Sequence, residues 1–173
     1  VPAPTPKDVP GAQPQPAASA SPASAAATPV QSVSRGQRIR VITDVLDIEI
    51  DTTGGDIRRV DLLTFPVSSK QRDTPVRLLN DVVPQLFIAQ SGLLSSGGKN
   101  IDHHTVLTAT QNEYRLGDGQ DSLDVVLTWQ SAEGLQAVKT YTFHRNRFLV
   151  DMKVQVNNTT GEEWSGRLYR QLQ

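Results

Sequence analysis

Acid–base chemistry in this chain would rest on three histidines, His103, His104 and His144, because cysteine is absent. Such chemistry needs an imidazole and a carboxylate that converge in one cleft. His103 and His104 follow Asp102 in a polar stretch that is predicted to be a loop, where adjacent histidines are more often solvated than catalytic. His144 precedes Arg145 at a predicted turn and is expected to be structural.

Metal and cofactor chemistry finds little support in the residue pattern. A zinc site needs three or four converging ligands, and Asp102, His103 and His104 form a local cluster with no fourth partner indicated. The chain contains no G-x-S-x-G elbow, phosphate loop or dinucleotide fingerprint. We therefore predict no metal, no cofactor and no enzymatic activity.

Aromatic side chains indicate a binding role more readily, because their faces accept sugars and peptides alike. Trp129 and Tyr141 are predicted to face the core, since they share a strand face with apolar residues. Tyr169 alternates with Leu168 and is the aromatic residue that we expect to be exposed. Tyr169, His103 and His104 are accordingly the predicted binding surface.

The charge balance excludes one class of partner. The formal net charge is −1, from 17 basic and 18 acidic residues, whereas a nucleic-acid binder normally carries a basic stripe. No apolar run is long enough to span a bilayer. We therefore expect neither nucleic-acid binding nor a membrane span in this chain.

The first part of the chain is predicted to be a disordered linker, residues 1–36. Eight of the eleven prolines and only two charged residues lie between Val1 and Ser34. Such a stretch cannot bury enough apolar surface to offset the entropy of ordering. Proline would also make it stiffer than a Gly/Ser chain. A spacer is the favoured interpretation, and a dispensable tail is the alternative.

The remaining residues, 37–173, alternate with period two, as expected for β-strands. Four strands and their turns are predicted to form a meander, at Leu123–Trp129, Lys139–Phe143, Phe148–Val156 and Trp164–Leu172. Two tight turns, at Ser131–Gly134 and around Asn146, join the first three strands. The fold class is predicted to be all-β, an antiparallel β-sandwich.

The first half of the predicted domain is less regular. Residues 38–50 are expected to form one long or broken strand, followed by a Gly54-Gly55 turn and a return strand to Phe65. Loops are predicted at Pro66–Pro75 and at Ser91–Thr105. Short strands are expected at Val76–Leu79, Leu86–Gln90 and Tyr114–Leu116.

Several segments, taken in order, resemble the periplasmic domain of YidC, the bacterial inner-membrane protein insertase. The first is RVITDVLDIEIDTTGGDIRRVDLLTFP, in which a TDVL strand, a Gly-Gly turn and a Leu-rich return strand succeed one another. Later in the chain come IAQSGL, YTFHRNRFLVDMKVQVNN and LYRQLQ. The resemblance runs from about Val41 to Gln173 and rests on the order of these segments rather than on any single motif.

This resemblance implies a β-supersandwich similar in architecture to galactose mutarotase, on the periplasmic face of the inner membrane of a Gram-negative bacterium. It implies a parent protein that inserts and folds membrane proteins, alone or with SecYEG and SecDF. The chain would be a non-catalytic accessory domain, with Sec components and nascent membrane proteins as partners. The linker would then lead from a first transmembrane helix.

The family domain is longer than this chain, so we expect the sandwich to be incomplete at its C-terminal end. That would leave Trp164–Gln173 as an edge that invites pairing. The alternative function is a mutarotase-like carbohydrate-binding or carbohydrate-active domain. It requires a histidine and a carboxylate within hydrogen-bond reach in one cleft.

Overall fold

The computed structural model describes residues 36–173, so the predicted linker, apart from Gly36, lies outside the described residues. This part contains eleven strands: β1 (Arg38–Ile42), β2 (Leu46–Asp51), β3 (Asp56–Ser68), β4 (Gln71–Leu79), β5 (Ala89–Ser95), β6 (Thr108–Ala109), β7 (Glu113–Arg115), β8 (Ser122–Gln130), β9 (Leu135–His144), β10 (Val150–Asn158) and β11 (Gly166–Leu172). No helix occurs among these residues, so none of them forms a membrane-spanning helix. The predicted all-β class is confirmed.

The strands form two sheets. The larger sheet has the order β11-β5-β3-β2-β1-β7, and β4 pairs with β3 off this path. The smaller sheet has the order β10-β9-β8-β6. Neighbouring strands are antiparallel with one exception, since β1 pairs with β7 in parallel.

A shared core joins the two sheets. Ile48 and Ile50 of the larger sheet and Leu127 and Phe143 of the smaller one are fully buried in a single apolar cluster. In β9 burial alternates at every residue, because successive side chains of a strand point to opposite faces. The predicted inward faces of β2, β8 and β9 are therefore confirmed.

Backbone conformations at the turns agree with the sequence in the second half of the chain. Gly134 has a φ of 104° and Asn146 a φ of 56°, the left-handed values that glycine and asparagine adopt most readily. These residues close the β8–β9 and β9–β10 hairpins. Both turns were predicted from residue type.

The one long or broken strand predicted over residues 38–50 is instead a hairpin, with β1 and β2 antiparallel. The Thr43 hydroxyl accepts hydrogen bonds from the backbone N–H groups of Val45 and Leu46, at 3.2 Å and 3.0 Å. A threonine side chain that bonds two residues ahead stabilises a local reversal. Apolar residues on both sides of this turn conceal it in the sequence.

The loop predicted at Pro66–Pro75 is also wrong, because β3 and β4 extend through it as a ribbon that turns at Ser69 and Lys70. Pro66 and Pro75 lie opposite each other where the register shifts. Proline lacks an N–H group, but an open edge or a bulge does not need that donor. The two prolines therefore lie inside β3 and β4 and do not end either strand.

The loop predicted at Ser91–Thr105 is wrong in its first part. β5 occupies Ala89–Ser95 and lies between β3 and β11, with Gln90 and Ser91 buried. These side chains are polar because the interior that they face is polar, as described below. A hydropathy pattern alone cannot separate such a strand from a loop.

The fourth strand of the predicted meander lies in the other sheet. β8, β9 and β10 are consecutive neighbours, but β11 pairs with β5 rather than with β10. Leu168 lies opposite Leu93, and Tyr169 opposite Gly92. β11 ends the order of its sheet, so the edge predicted at the end of the chain is present.

Candidate functional site

The residues of the predicted binding surface lie together. The Nδ1 atom of His103 is hydrogen-bonded to the Tyr169 hydroxyl at 2.6 Å, and the backbone N–H of His103 donates to the same oxygen at 3.0 Å. The rings of His103 and His104 have centroids 4.1 Å apart. Residues 66 positions apart along the chain thus form one cluster, which we call the His–Tyr cluster (His103, His104 and Tyr169).

A tight turn holds the two histidines over β5. Asp102 accepts a hydrogen bond from the backbone N–H of His104 at 2.9 Å and donates its own N–H to the Thr105 hydroxyl at 3.1 Å. Gly92 lies directly beneath, where a Cβ atom would come within 2.7 Å of the Asp102 Cα and 2.9 Å of the Tyr169 ring. The absence of a side chain at Gly92 is what lets the turn and the tyrosine meet.

Tyr169 is half-buried, whereas the alternation of β11 predicted it to be exposed. The turn that carries His103 covers one edge of its ring, which meets the His103 ring at 85°. Burial raises the pKa of the Tyr169 hydroxyl, and the hydrogen bond from the His103 backbone opposes that change. The hydroxyl therefore stays protonated over the physiological pH range.

A buried polar cluster lies at the start of β3. The Asp56 carboxylate accepts a hydrogen bond from Gln90 Nε2 at 3.0 Å and forms an ion pair with Arg58 at 3.2 Å. Burial raises the pKa of Asp56, while Gln90, Arg58, Lys139 and His103 all act to lower it. Burial outweighs these opposing groups, so the pKa of Asp56 lies above its ordinary value in a site that water does not reach.

Lys139 crosses from the smaller sheet to the larger one. Its Nζ donates to the backbone carbonyls of Gly54 at 2.6 Å and of Ser91 at 3.1 Å, with Gly55 O at 3.4 Å. The side chain is buried, and burial lowers its pKa to about 8 against the attraction of Asp56. This ammonium group therefore holds the β2–β3 turn and β5 against β9.

Tyr141 reinforces the same contact, since its hydroxyl donates to Gly55 O at 2.7 Å. Sequence reasoning placed Lys139, Tyr141 and Phe143 on one strand face, but it did not identify the polar cluster. The position of Lys139 on the apolar face of β9 indicated such a cluster, because a buried lysine needs a buried partner. Trp129 packs against the shared core and against a second, smaller apolar cluster of Leu93, Ile101, Leu135 and Ala137. The predicted core positions of Trp129 and Tyr141 are therefore confirmed.

His144 lies apart from the His–Tyr cluster, at the end of β9. Its Nε2 is 2.8 Å from an Asp151 carboxylate oxygen, across the β9–β10 hairpin. That pairing fits the structural role predicted for it. Among residues 36–173, no three histidine or carboxylate side chains are placed to hold a metal ion.

Two cavities open on the surface of the sandwich. One, of about 520 Å³, lies between β5 and β11 on one side and β10 on the other, with Tyr141, Met152 and Arg170 in its walls. The second, of about 700 Å³, is lined by residues that include Glu133 and Trp164. No histidine lines either cavity, whereas carboxylates do, Glu133 in the larger one and Asp151 in the smaller one.

Comparison with known families gives one match over the described part of the chain. The family described as the YidC periplasmic domain matches residues 38–173. That range begins at β1 and includes all eleven strands. It also contains the His–Tyr cluster, the polar cluster and the β3–β4 ribbon.

Curated relatives carry the same family name. The chain is 48% identical over 179 residues to the membrane protein insertase YidC of Thioalkalivibrio sulfidiphilus, which covers 99% of this chain and 31% of that protein. It is 49% identical over 145 residues to the corresponding protein of Methylococcus capsulatus, covering 84% of this chain and 26% of the relative. The chain thus spans less than a third of the length of these relatives.

Proposed function

Because the chain belongs to the YidC periplasmic domain family, we propose that it is the periplasmic part of an inner-membrane protein insertase and assists the insertion and folding of membrane proteins. The observation that carries this proposal is the match over residues 38–173, together with 48% identity across almost the whole chain. In this proposal the linker, residues 1–36, spaces the sandwich from the membrane, and the sandwich lies in the periplasm of a Gram-negative cell.

The domain acts in this proposal by contact rather than by catalysis. Its polar groups bind one another: His103 holds Tyr169, His144 pairs with Asp151, and Lys139 bonds backbone carbonyls. A catalytic acid or base instead needs a free face toward a substrate. The carbohydrate alternative would place a sugar in the 520 Å³ cleft, whose walls include Arg170, Gln171 and Asp151. His144, the partner of Asp151 at 2.8 Å, is not among the residues that line this cleft.

The partners in this proposal are components of the Sec translocon, SecYEG and SecDF, and nascent membrane proteins that the parent inserts. Two strand edges support a contact role, because within residues 36–173 β10 and β11 each end a sheet. An open edge presents unpaired N–H and C=O groups that can pair with an extended segment. The 520 Å³ cleft lies between these two edges.

A test uses the intact parent protein in cells depleted of their own insertase. One version carries the complete sequence, and a second lacks residues 37–173. A third replaces them with an unrelated β-sandwich of similar length, which keeps the spacing. Sec components should co-purify with the complete protein and fall several-fold in the other two, with slower insertion of a reporter membrane protein.

Equal co-purification and equal insertion from all three versions would contradict a contact role for the domain. A parent gene without a membrane-spanning segment upstream of Val1 would contradict the insertase assignment itself. Binding of a monosaccharide in the cleft, lost on Arg170→Ala, would favour the carbohydrate alternative.

A further inference from the structure

The β3–β4 ribbon extends beyond the sandwich core. Residues 63–74 are all exposed, whereas the first six residues of β3 are mostly buried. β3 pairs with β2 only as far as Leu62. Beyond the Leu63 N–H, which donates to Val45 O at 2.9 Å, the ribbon formed by residues 63–76 has no strand neighbour other than β3 and β4 themselves among residues 36–173. We call this part the distal ribbon.

The distal ribbon carries apolar side chains that the rest of residues 36–173 leaves exposed. Leu63, Phe65 and Val67 occupy alternate positions of β3 and are 42%, 51% and 46% exposed. The Phe65 ring lies 5.4 Å from that of Phe148, and Leu149 beside it is 59% exposed. Exposed apolar side chains grouped on one segment are typical of an interaction surface.

The end of the distal ribbon carries cations without internal partners. Lys70 lies in the turn and Arg72 follows it in β4, and neither side chain has a salt bridge or hydrogen bond within residues 36–173. Other arginines of the same sheet are paired, as Arg40 is with Asp47 and Arg77 with Asp61. The unpaired cations therefore remain available to an external anion.

The prolines of the distal ribbon count against a protein strand as its partner. Pro66 and Pro75 lie opposite each other, and each removes an N–H group that strand addition would use. Binding to a lipid headgroup region does not require backbone N–H groups from the ribbon. Such a region accepts apolar side chains at the acyl boundary and attracts cations to anionic phosphates.

We propose that the distal ribbon binds the surface of an anionic phospholipid bilayer, with Leu63, Phe65 and Val67 entering the boundary between headgroups and acyl chains. Lys70 and Arg72 contact the phosphates. This inference rests on the proposed function in one respect, since an insertase domain works beside such a bilayer. Vesicle binding is read separately from membrane protein insertion, so the two proposals can fail independently.

Cosedimentation of the 173-residue chain with vesicles tests the proposal. Vesicles of phosphatidylglycerol and phosphatidylethanolamine should bind the chain, and phosphatidylcholine vesicles should bind it weakly. Each basic residue near an anionic surface contributes about fivefold. Lys70→Gln with Arg72→Gln should therefore lower the partition coefficient by about 30-fold, and Phe65→Ser should lower it in both lipid mixtures.

Matched controls separate the distal ribbon from overall charge and hydrophobicity. Lys153→Gln with Arg167→Gln removes the same charge from exposed positions of β10 and β11, and Val126→Ser removes an exposed apolar side chain from β8. Neither control should change binding. Thermal unfolding of the charge variants and of Val126→Ser should match the original chain, because their altered side chains are exposed. Phe65→Ser also loses its contact with the Phe148 ring, so its binding is compared at a temperature at which circular dichroism shows it folded.

Three results would overturn the proposal. One is no binding to anionic vesicles, and another is an equal loss in the control variants. The third is unchanged vesicle binding in the ribbon variants together with lost Sec co-purification in the intact parent, which would identify the distal ribbon as a protein-binding surface.

Discussion

Replacement of Lys139 by methionine tests the contact between the two sheets. The ammonium group is buried and donates to the carbonyls of Gly54 and Ser91. Lys139→Met leaves those oxygens without their donor, which is destabilising, but it also removes a buried charge, which is stabilising. The two effects oppose each other at neutral pH, so the pH dependence of stability is the diagnostic quantity.

The sign follows from the lowered pKa of Lys139. In the folded chain this pKa is about 8 and in the unfolded chain about 10.5, so between these values the unfolded chain binds more protons. Stability then rises with pH. A pKa difference of one corresponds to about 1.4 kcal/mol, so the full effect is about 3 kcal/mol, of which about 2 kcal/mol falls between pH 7 and pH 9.5.

Several charged and titratable groups surround this ammonium group, and they set the limits of the assay. Asp56 on β3 and Tyr141 on β9 lie next to it, and Arg58 on β3 and His103 on the turn above act on Asp56 in turn. Burial raises the pKa of Tyr141, so its ionisation would lower stability above about pH 10. The measurement therefore ends at pH 9.5.

Urea unfolding at pH 7.0, 8.0, 9.0 and 9.5 supplies the free energies. The original chain should gain about 2 kcal/mol relative to Lys139→Met across this range. Lys153→Met, at an exposed position of β10, should follow the original chain. Equal pH dependence in the original chain and Lys139→Met would refute the conclusion that Lys139 titrates with a lowered pKa.

Three further substitutions, each measured by urea unfolding, test the site and the core. Gly54→Ala should destabilise by more than about 1 kcal/mol, because the added Cβ would lie 2.7 Å from the His103 backbone at a φ of 74°. Gly98→Ala has a similar φ and open space, so an equal loss there would contradict the crowding argument. Tyr169→Phe should cost about 1 kcal/mol and speed amide exchange at His103, and unchanged exchange would count against the hydrogen bond. Phe143→Ala should cost about 3–5 kcal/mol because that side chain is fully buried, and a loss below about 1 kcal/mol would contradict its place in the core.

Local patterns predicted the second half of the sandwich well. Alternation along β8, β9 and β10 identified their inward faces, and residue type identified the turns at Gly134 and Asn146. Both signals come from a few neighbouring residues, because side chains of a strand alternate whatever the strand pairs with. The family resemblance, carried by the order of short segments, was confirmed over residues 38–173.

The errors share a physical cause. The β1–β2 reversal depends on hydrogen bonds to the Thr43 side chain. The β3–β4 ribbon contains Pro66 and Pro75 at register shifts, where a strand tolerates proline. β5 was predicted to be largely loop because it is polar. A buried polar strand is stable only when distant partners satisfy it, as Asp56 does for Gln90, and those partners are invisible to a local pattern.

The sequence by itself determined the β class, the faces of the regular strands and the family, since these follow from alternation, turn residues and segment order. Only the tertiary structure decided that β11 crosses to β5, that His103 meets Tyr169, and that Lys139 is buried among carbonyls. Each of these joins residues far apart along the chain. Such contacts form when two sheets pack, because packing selects partners by shape and by the need to satisfy buried polar groups.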